Sequence, residues 1–394
     1  MKIGKWIYLA VFSVLIIACE TNRETFEEFV KDGETIYIGS ADTVLVAPGF
    51  NKLRFYVALN ADPKITKGLL KTADESIMHE FEVVRTKNGK DTVSFELEIP
   101  EGEYTFGLFL MDAAGNQSVR KEVPARVYGE SYQESLINRG LIKIDTYLEG
   151  AVFHWDETTA NMQTTILSYE DKAGVMQTVT VSNEESQTEV ESYKLGGEII
   201  VKSTFKPIEI AIEEFEALPS ERLFPDDFLL DKSLITALRL PGDATDGCYG
   251  GNYGRLTDGS VSEYWHSCGV AEDQYPFIMS FDLGVEANLS RFKLDERQDC
   301  CGSRGPAAYQ IWATNDISNA ETVDIDAVSL ADWEADAQAK GWVKLVDVTG
   351  NQQYTFEVEI PENGENYKYL RIVGISAIDG SPSTNFNEFT FWGK

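Results

Sequence analysis

The sequence predicts an all-β protein built from tandem β-sandwiches, and three observations predict it. Apolar residues alternate with polar ones at Leu53, Phe55, Val57 and Leu59, at Val93, Phe95, Leu97 and Ile99, and at Tyr104, Phe106, Leu108 and Leu110. Period two places one face of each run in a core and the other in water, which is the signature of half-buried strands. Further short runs follow at the spacing of a second sandwich, at Val152–Trp155, Met162–Tyr169, Gln177–Val181 and Glu198–Val201. A chain of 394 residues with 43% hydrophobic residues is also long enough for two or three domains with proper cores.

The elements follow in order. Lys2 and Lys5 precede an apolar stretch from Trp6 to Ala18, long enough for a signal peptide and too short to span a bilayer comfortably. It ends in Ile16-Ile17-Ala18-Cys19, which resembles a bacterial lipobox. The resemblance implies cleavage after residue 18 and acyl chains on Cys19 that hold the mature protein to a membrane. Residues 19–33 are polar and acidic and read as a tether. Acidic residues directly after the lipid-bearing cysteine resemble surface-export signals of some Gram-negative lipoproteins, which implies the outer membrane and its external face.

Residues 34–128 hold the first sandwich. Its run Ile99-Pro100-Glu101-Gly102-Glu103-Tyr104-Thr105-Phe106, followed by Asp112-Ala113-Ala114-Gly115-Asn116-Gln117-Ser118, resembles the end of a fibronectin type III domain. That resemblance implies a corner in which Tyr104 bonds back to the backbone and a Gly115-Asn116 turn that closes the last hairpin. Tyr128 to Gly140 reads as a polar connection. A second fibronectin-like or immunoglobulin-like sandwich then spans 138–218, ends at the linker Leu218-Pro219-Ser220-Glu221, and reads as a spacer. Together these modules resemble the paired N-terminal modules of surface lipoproteins from glycan-foraging bacteria, which implies partner proteins of a glycan-uptake system. His79 and His154 stand isolated, as structural histidines do.

In residues 225–394 a series of motifs runs in order: Leu256-Thr257-Asp258-Gly259, Tyr264-Trp265, Phe281-Asp282-Leu283-Gly284, Leu289 to Leu294, Tyr309 to Asp316, Tyr369-Leu370-Arg371-Ile372, Asn387-Glu388-Phe389 and Trp392-Gly393. They resemble a discoidin (coagulation factor V/VIII C-type) domain over nearly its whole length. The implied fold is a galactose-binding-like β-jelly-roll, and the alternation at Tyr354, Phe356, Val358 and Ile360 agrees with strands. Discoidin domains that bind carbohydrate often hold a structural Ca2+, for which the resemblance implies Asp258, Ser260, Glu263 and Glu388 as ligands. Glu263 stands where the family often has threonine. An Asp-Gly turn with a capping carboxylate is the alternative reading of the same residues.

Four cysteines remain after Cys19, and two disulfides among them have three connectivities that the sequence leaves open. The segment Arg297-Gln298-Asp299-Cys300-Cys301-Gly302-Ser303-Arg304 resembles the sugar-binding loop of the F-type lectins, or fucolectins. In that family two arginines hydrogen-bond the sugar, and a disulfide between neighbouring cysteines forms an apolar plate against it. The resemblance implies the pairs Cys300–Cys301 and Cys248–Cys268, crossed pairing being the alternative. It implies sugar-binding roles for Arg297, Asp299, Cys300, Cys301 and Arg304, with His266 as the candidate for the family's histidine. Tyr249 and Tyr253, in the glycine-rich loop nearby, are candidates for stacking on the sugar, with core or rim packing as the alternative.

A net charge of −31 argues against nucleic acid and against acidic polymers, and favours a neutral ligand. There is no His-Glu-x-x-His, no Gly-x-Ser-x-Gly and only three histidines, so no catalytic constellation is legible. The acidic stretch from Asp324 to Asp336 reads as a solvated loop or short helix. These observations predict a non-catalytic, lipid-anchored surface protein that captures glycans containing fucose or galactose. The alternative is a structural or adhesion lipoprotein whose discoidin domain binds a protein partner.

Overall fold

In a computed structural model the described residues are 37–297 and 304–394. Cys19, Asp299, Cys300 and Cys301 therefore lie outside the described residues. The chain is all-β and divides into two compact units, one of residues up to 136 together with 205–217, the other of 137–204 together with 218–394.

The first unit is a sandwich. A three-stranded sheet of Thr43–Gly49, Lys52–Leu59 and Asp91–Glu98 faces a four-stranded sheet of Met78–Glu82, Ile65–Thr72, Gly102–Asp112 and Lys121–Val127. Leu53, Phe55, Val57 and Leu59 from one sheet and Phe106, Leu108 and Leu110 from the other are fully buried between them, as their period-two spacing dictates. The Tyr104 hydroxyl donates to the Pro100 carbonyl at 2.9 Å, and Asp112 caps the Gly115-Asn116 turn by accepting from the backbone of Ala114 and Asn116. The polar connection after Tyr128 contains a short helix, Glu130–Ser135. Its Tyr132 packs edge-on against Phe215. That contact explains why 205–217, expected in the second sandwich, belongs to the first unit.

In the second unit, strands Met162–Glu170, Met176–Val181 and Glu198–Phe205 face strands Leu141–Tyr147, Gly150–Trp155 and Gln187–Val190 across Phe153, Leu167, Ile199 and Phe224. His154 is not isolated here, because its Nε2 lies 2.7 Å from Asp145. The expected linker is also different. Ser220–Leu223 is a strand hydrogen-bonded to Glu198–Val201, and the chain then enters strand Phe228–Leu229. Leu229 pairs with Tyr147 on one side and with Trp392 on the other. One eight-stranded sheet therefore runs from the second sandwich into the C-terminal domain. The second sandwich and the C-terminal domain thus share backbone hydrogen bonds where a linker was expected.

The C-terminal domain is a jelly-roll. Strands Asn385–Gly393, Leu289–Glu296 and Phe356–Glu359 form its share of that sheet. Facing them is a five-stranded sheet of Thr236–Ala237, Phe277–Ala287, Tyr367–Ala377, Pro306–Thr314 and Val343–Val348. Phe281, Phe292, Phe389 and Phe391 pack ring to ring in the core between them. Tyr354 falls outside its expected strand and is exposed. The acidic stretch becomes a helix, Leu330–Ala339, capped by Ser329. It is not wholly solvated, since Trp333 is buried edge-on against Trp312 and covers the outer face of the five-stranded sheet.

Candidate functional site

The candidate site is built on the loop from Gly247 to Gly251, beside the two-residue strand Trp265–His266. Trp265 and His266 pair with Phe386 and Asn385, so the last long strand sets the position of the site. Trp265 is fully buried, stacks on Phe386 and donates its indole N–H to the Thr245 carbonyl at 3.0 Å. Gly247 lies against this ring at φ 93°, and a Cβ there would meet Trp265 Cδ1 at 2.8 Å. Only glycine accepts both the conformation and the contact.

A disulfide joins Cys248 to Cys268. Two further ties hold the same pair of segments. Cys248 N–H donates to the His266 carbonyl at 2.8 Å, and the buried Asp273 carboxylate accepts from Thr245 N at 2.6 Å, Thr245 Oγ1 at 2.7 Å and Cys268 N at 2.7 Å. The first of these ties is a backbone bond. Asp273 and Thr245 were not singled out by sequence reasoning, because nothing in their local pattern distinguishes a buried clamp from a surface turn.

On this support Tyr249 projects into solvent. It is 74% exposed, with φ 60°, a left-handed conformation that is costly for a residue carrying a Cβ. Its carbonyl accepts from the Tyr264 hydroxyl at 2.5 Å, and its ring meets His266 edge-on at 4.9 Å. His266 itself is buried, with Nδ1 donating to the Ser267 carbonyl at 2.8 Å. Arg297 is also buried, its guanidinium carbon 3.4 Å from the centre of the Tyr264 ring. Tyr264 thus supports both the Tyr249 backbone and the arginine, a role its place in a discoidin motif did not reveal.

Arg304 is positioned through its backbone. Its N–H donates to Glu296 at 2.8 Å, and its carbonyl accepts from the Tyr275 hydroxyl at 2.8 Å and from Thr384 Oγ1 at 3.1 Å. Burial raises the Glu296 carboxyl, while the N–H groups of Arg304 and Gly305 pull it down. Glu296 in this way ties the end of its own strand to the chain at Arg304.

Tyr253 does not join the site. It is 1% exposed, packs on Phe281 and has Arg239 over its ring at 5.2 Å, so it is a core residue and offers no stacking surface. It follows a turn that directs its ring inward while Tyr249, four positions earlier, points out.

The residues assigned to calcium lie elsewhere on the domain, and their donor set does not fit that ion. Glu388 Oε1 accepts from the Lys232 ammonium and from Gly259 N–H at 3.1 Å. Asp258 and Glu263 both face Arg255, at 3.4 and 3.6 Å. Ser260 Oγ bonds Ser262 Oγ at 2.8 Å, and Ser260 N–H donates to Asp258. Calcium requires six to eight oxygens. Glu388 Oε2 is a buried oxygen with no hydrogen-bond partner, but among the described residues no cluster of three or more acidic, histidine or cysteine side chains is placed to hold a metal. Burial pushes the Glu388 carboxyl up to about 7, against the pull of Lys232 and Gly259.

No curated protein matches the chain. A SusE-like protein of known structure is 17% identical, with a TM-score of 0.34, over 64% of this chain and 96% of its own. The family 32 CBM of Clostridium perfringens NanJ, solved in complex with galactose, is 17% identical, with a TM-score of 0.31, over 42% of this chain and 98% of its own. A third structure, CBM32-3 from a family 31 glycoside hydrolase of the same organism, is 19% identical, with a TM-score of 0.32, over 42% of this chain and 96% of its own. Residues 254–393 match DUF5000, a domain of unknown function. Residues 19–215, half of the chain, match DUF4998, likewise a domain of unknown function, and the chain belongs to the DUF4998 family.

Proposed function

We propose that this protein is a non-catalytic glycan-binding lipoprotein whose C-terminal domain takes a neutral sugar at the loop around Tyr249. The observation that carries the reading is the Tyr249 ring itself. A large apolar side chain held out in water, in a strained backbone, by a disulfide and three sets of hydrogen bonds is costly unless a ligand covers it. Sugars present a patch of C–H groups to such a ring and hydroxyl oxygens to nearby donors. Arg297, steadied by Tyr264, supplies planar donors in this reading, with Arg304, Asp299, Cys300 and Cys301 as the further sugar-binding candidates.

A glycan array probed with the full chain tests this, with fucose- and galactose-containing glycans examined first. A site of millimolar affinity has only ~4 kcal/mol of binding free energy, and a charged-donor hydrogen bond is worth ~1.5–3 kcal/mol. Arg297→Ala and Tyr249→Ala are therefore each expected to reduce binding by tenfold or more, with the melting curve of Tyr249→Ala unchanged. Array binding that survives both changes would place the sugar elsewhere. Capture of a protein partner with no glycan bound would favour an adhesion role.

In the same reading Cys19 carries the lipid that anchors the protein at the outer membrane, facing outward beside proteins of a glycan-uptake system. Cys19→Ala is expected to move the protein from the membrane to the soluble fraction. An unchanged distribution, with no acyl mass on the N-terminal peptide, rejects the anchor.

A further inference from the structure

We propose that the Lys232 ammonium takes the place of a divalent cation in the C-terminal domain, so that the domain holds its fold without calcium. The backbone register puts it there. Phe228 pairs with Gly393 and Leu229 with Trp392, and Leu230 N–H donates to the Phe391 carbonyl at 3.0 Å. Continuing down the same ladder, the turn Lys232–Leu234 comes opposite Thr390 and Glu388, alternate residues that share one face of their strand. Asp231 caps this turn by accepting from Ser233 N–H at 2.9 Å, which fixes the point from which the lysine reaches inward.

The head group then meets Glu388 Oε1 and, at 2.9 Å, Thr390 Oγ1. Only 20% of the lysine side chain and 2% of the glutamate are exposed, so the pair is largely out of water. A buried carboxylate needs a compensating charge. Lys232 supplies it from within the chain, and the Gly259 N–H adds a second donor to the same oxygen. The two neighbouring carboxylates, Asp258 and Glu263, share Arg255. The three carboxylates assigned to calcium thus already face two protein cations, Lys232 and Arg255.

Melting of the full chain in calcium chloride and in EDTA tests the proposal. A calcium site at hundredfold excess over its dissociation constant would raise Tm by about 5–10 °C, whereas the two curves are expected to coincide. Lys232→Met keeps most of the stem and removes the charge, and is expected to melt at least about 4 °C lower, with Lys232→Arg recovering much of the loss. A higher Tm in calcium than in EDTA, or a Lys232→Met protein that melts with the wild type, overturns the proposal. Should Lys232→Met fail to fold, equilibrium dialysis of the wild type against calcium decides. No bound ion supports the lysine, and a bound ion that Glu388→Gln abolishes overturns it.

Discussion

Replacing Arg371 with Met is expected to destabilise the second unit by about 3–5 kcal/mol, the cost of removing a buried charge that compensates a carboxyl linked to it through Ser280. Arg371 is wholly buried in the jelly-roll. Its Nε donates to Ser280 Oγ at 3.0 Å, and Ser280 in turn donates to Asp243 at 3.0 Å. The Trp342 ring covers the guanidinium at 4.2 Å. Burial pushes the Asp243 carboxyl up to about 6, while the arginine charge pulls it down. A carboxyl whose pKa is raised on folding contributes stability that is present below its unfolded value and is lost as pH rises through the folded value. Without Arg371 that loss deepens, so the deficit of Arg371→Met should be larger at pH 8 than at pH 5. Chemical denaturation at the two pH values measures it. A deficit equal at both would mean that Arg371 acts through packing alone.

Asp273→Ala is expected to have the next largest effect, on the order of 3 kcal/mol, because it leaves the partly buried N–H groups of Thr245 and Cys268 without their buried acceptor. The disulfide still joins Cys248 to Cys268, so the domain should fold while the segments bearing Tyr249 and His266 loosen. Stability and glycan binding should therefore fall together in Asp273→Ala, and Asp273→Asn, which keeps one acceptor oxygen, should lose less of both. Unaltered unfolding and binding in Asp273→Ala would show that the disulfide and backbone bonds hold the site unaided.

Local features of this protein were legible because their physics is local. Leu53 to Leu59 read as a strand because alternate residues share a face wherever the strand is placed, and Tyr104 reaches Pro100 within one turn of chain. Tyr249 stood out from its glycine-rich loop and His266 from the F-type lectin resemblance, and the structure brings them into contact. Tyr253, in the same loop, carried the same chemical signal and lies in the core, since which side of a turn faces inward depends on what packs beneath it.

The sequence by itself determined the all-β class and the strand faces, which follow from spacing along the chain, while the corner at Tyr104 and the motif order of the C-terminal domain came from resemblance to known families. Only the tertiary structure decided which distant groups meet. Lys232 finds Glu388 across 156 positions because a two-residue strand docks beside the last one, and Ser220–Leu223 leaves its expected role as a linker because Glu198–Val201 offers unpaired backbone. Hydrogen bonding and charge compensation depend on distance and burial, and neither quantity exists until sequence-distant strands are in register.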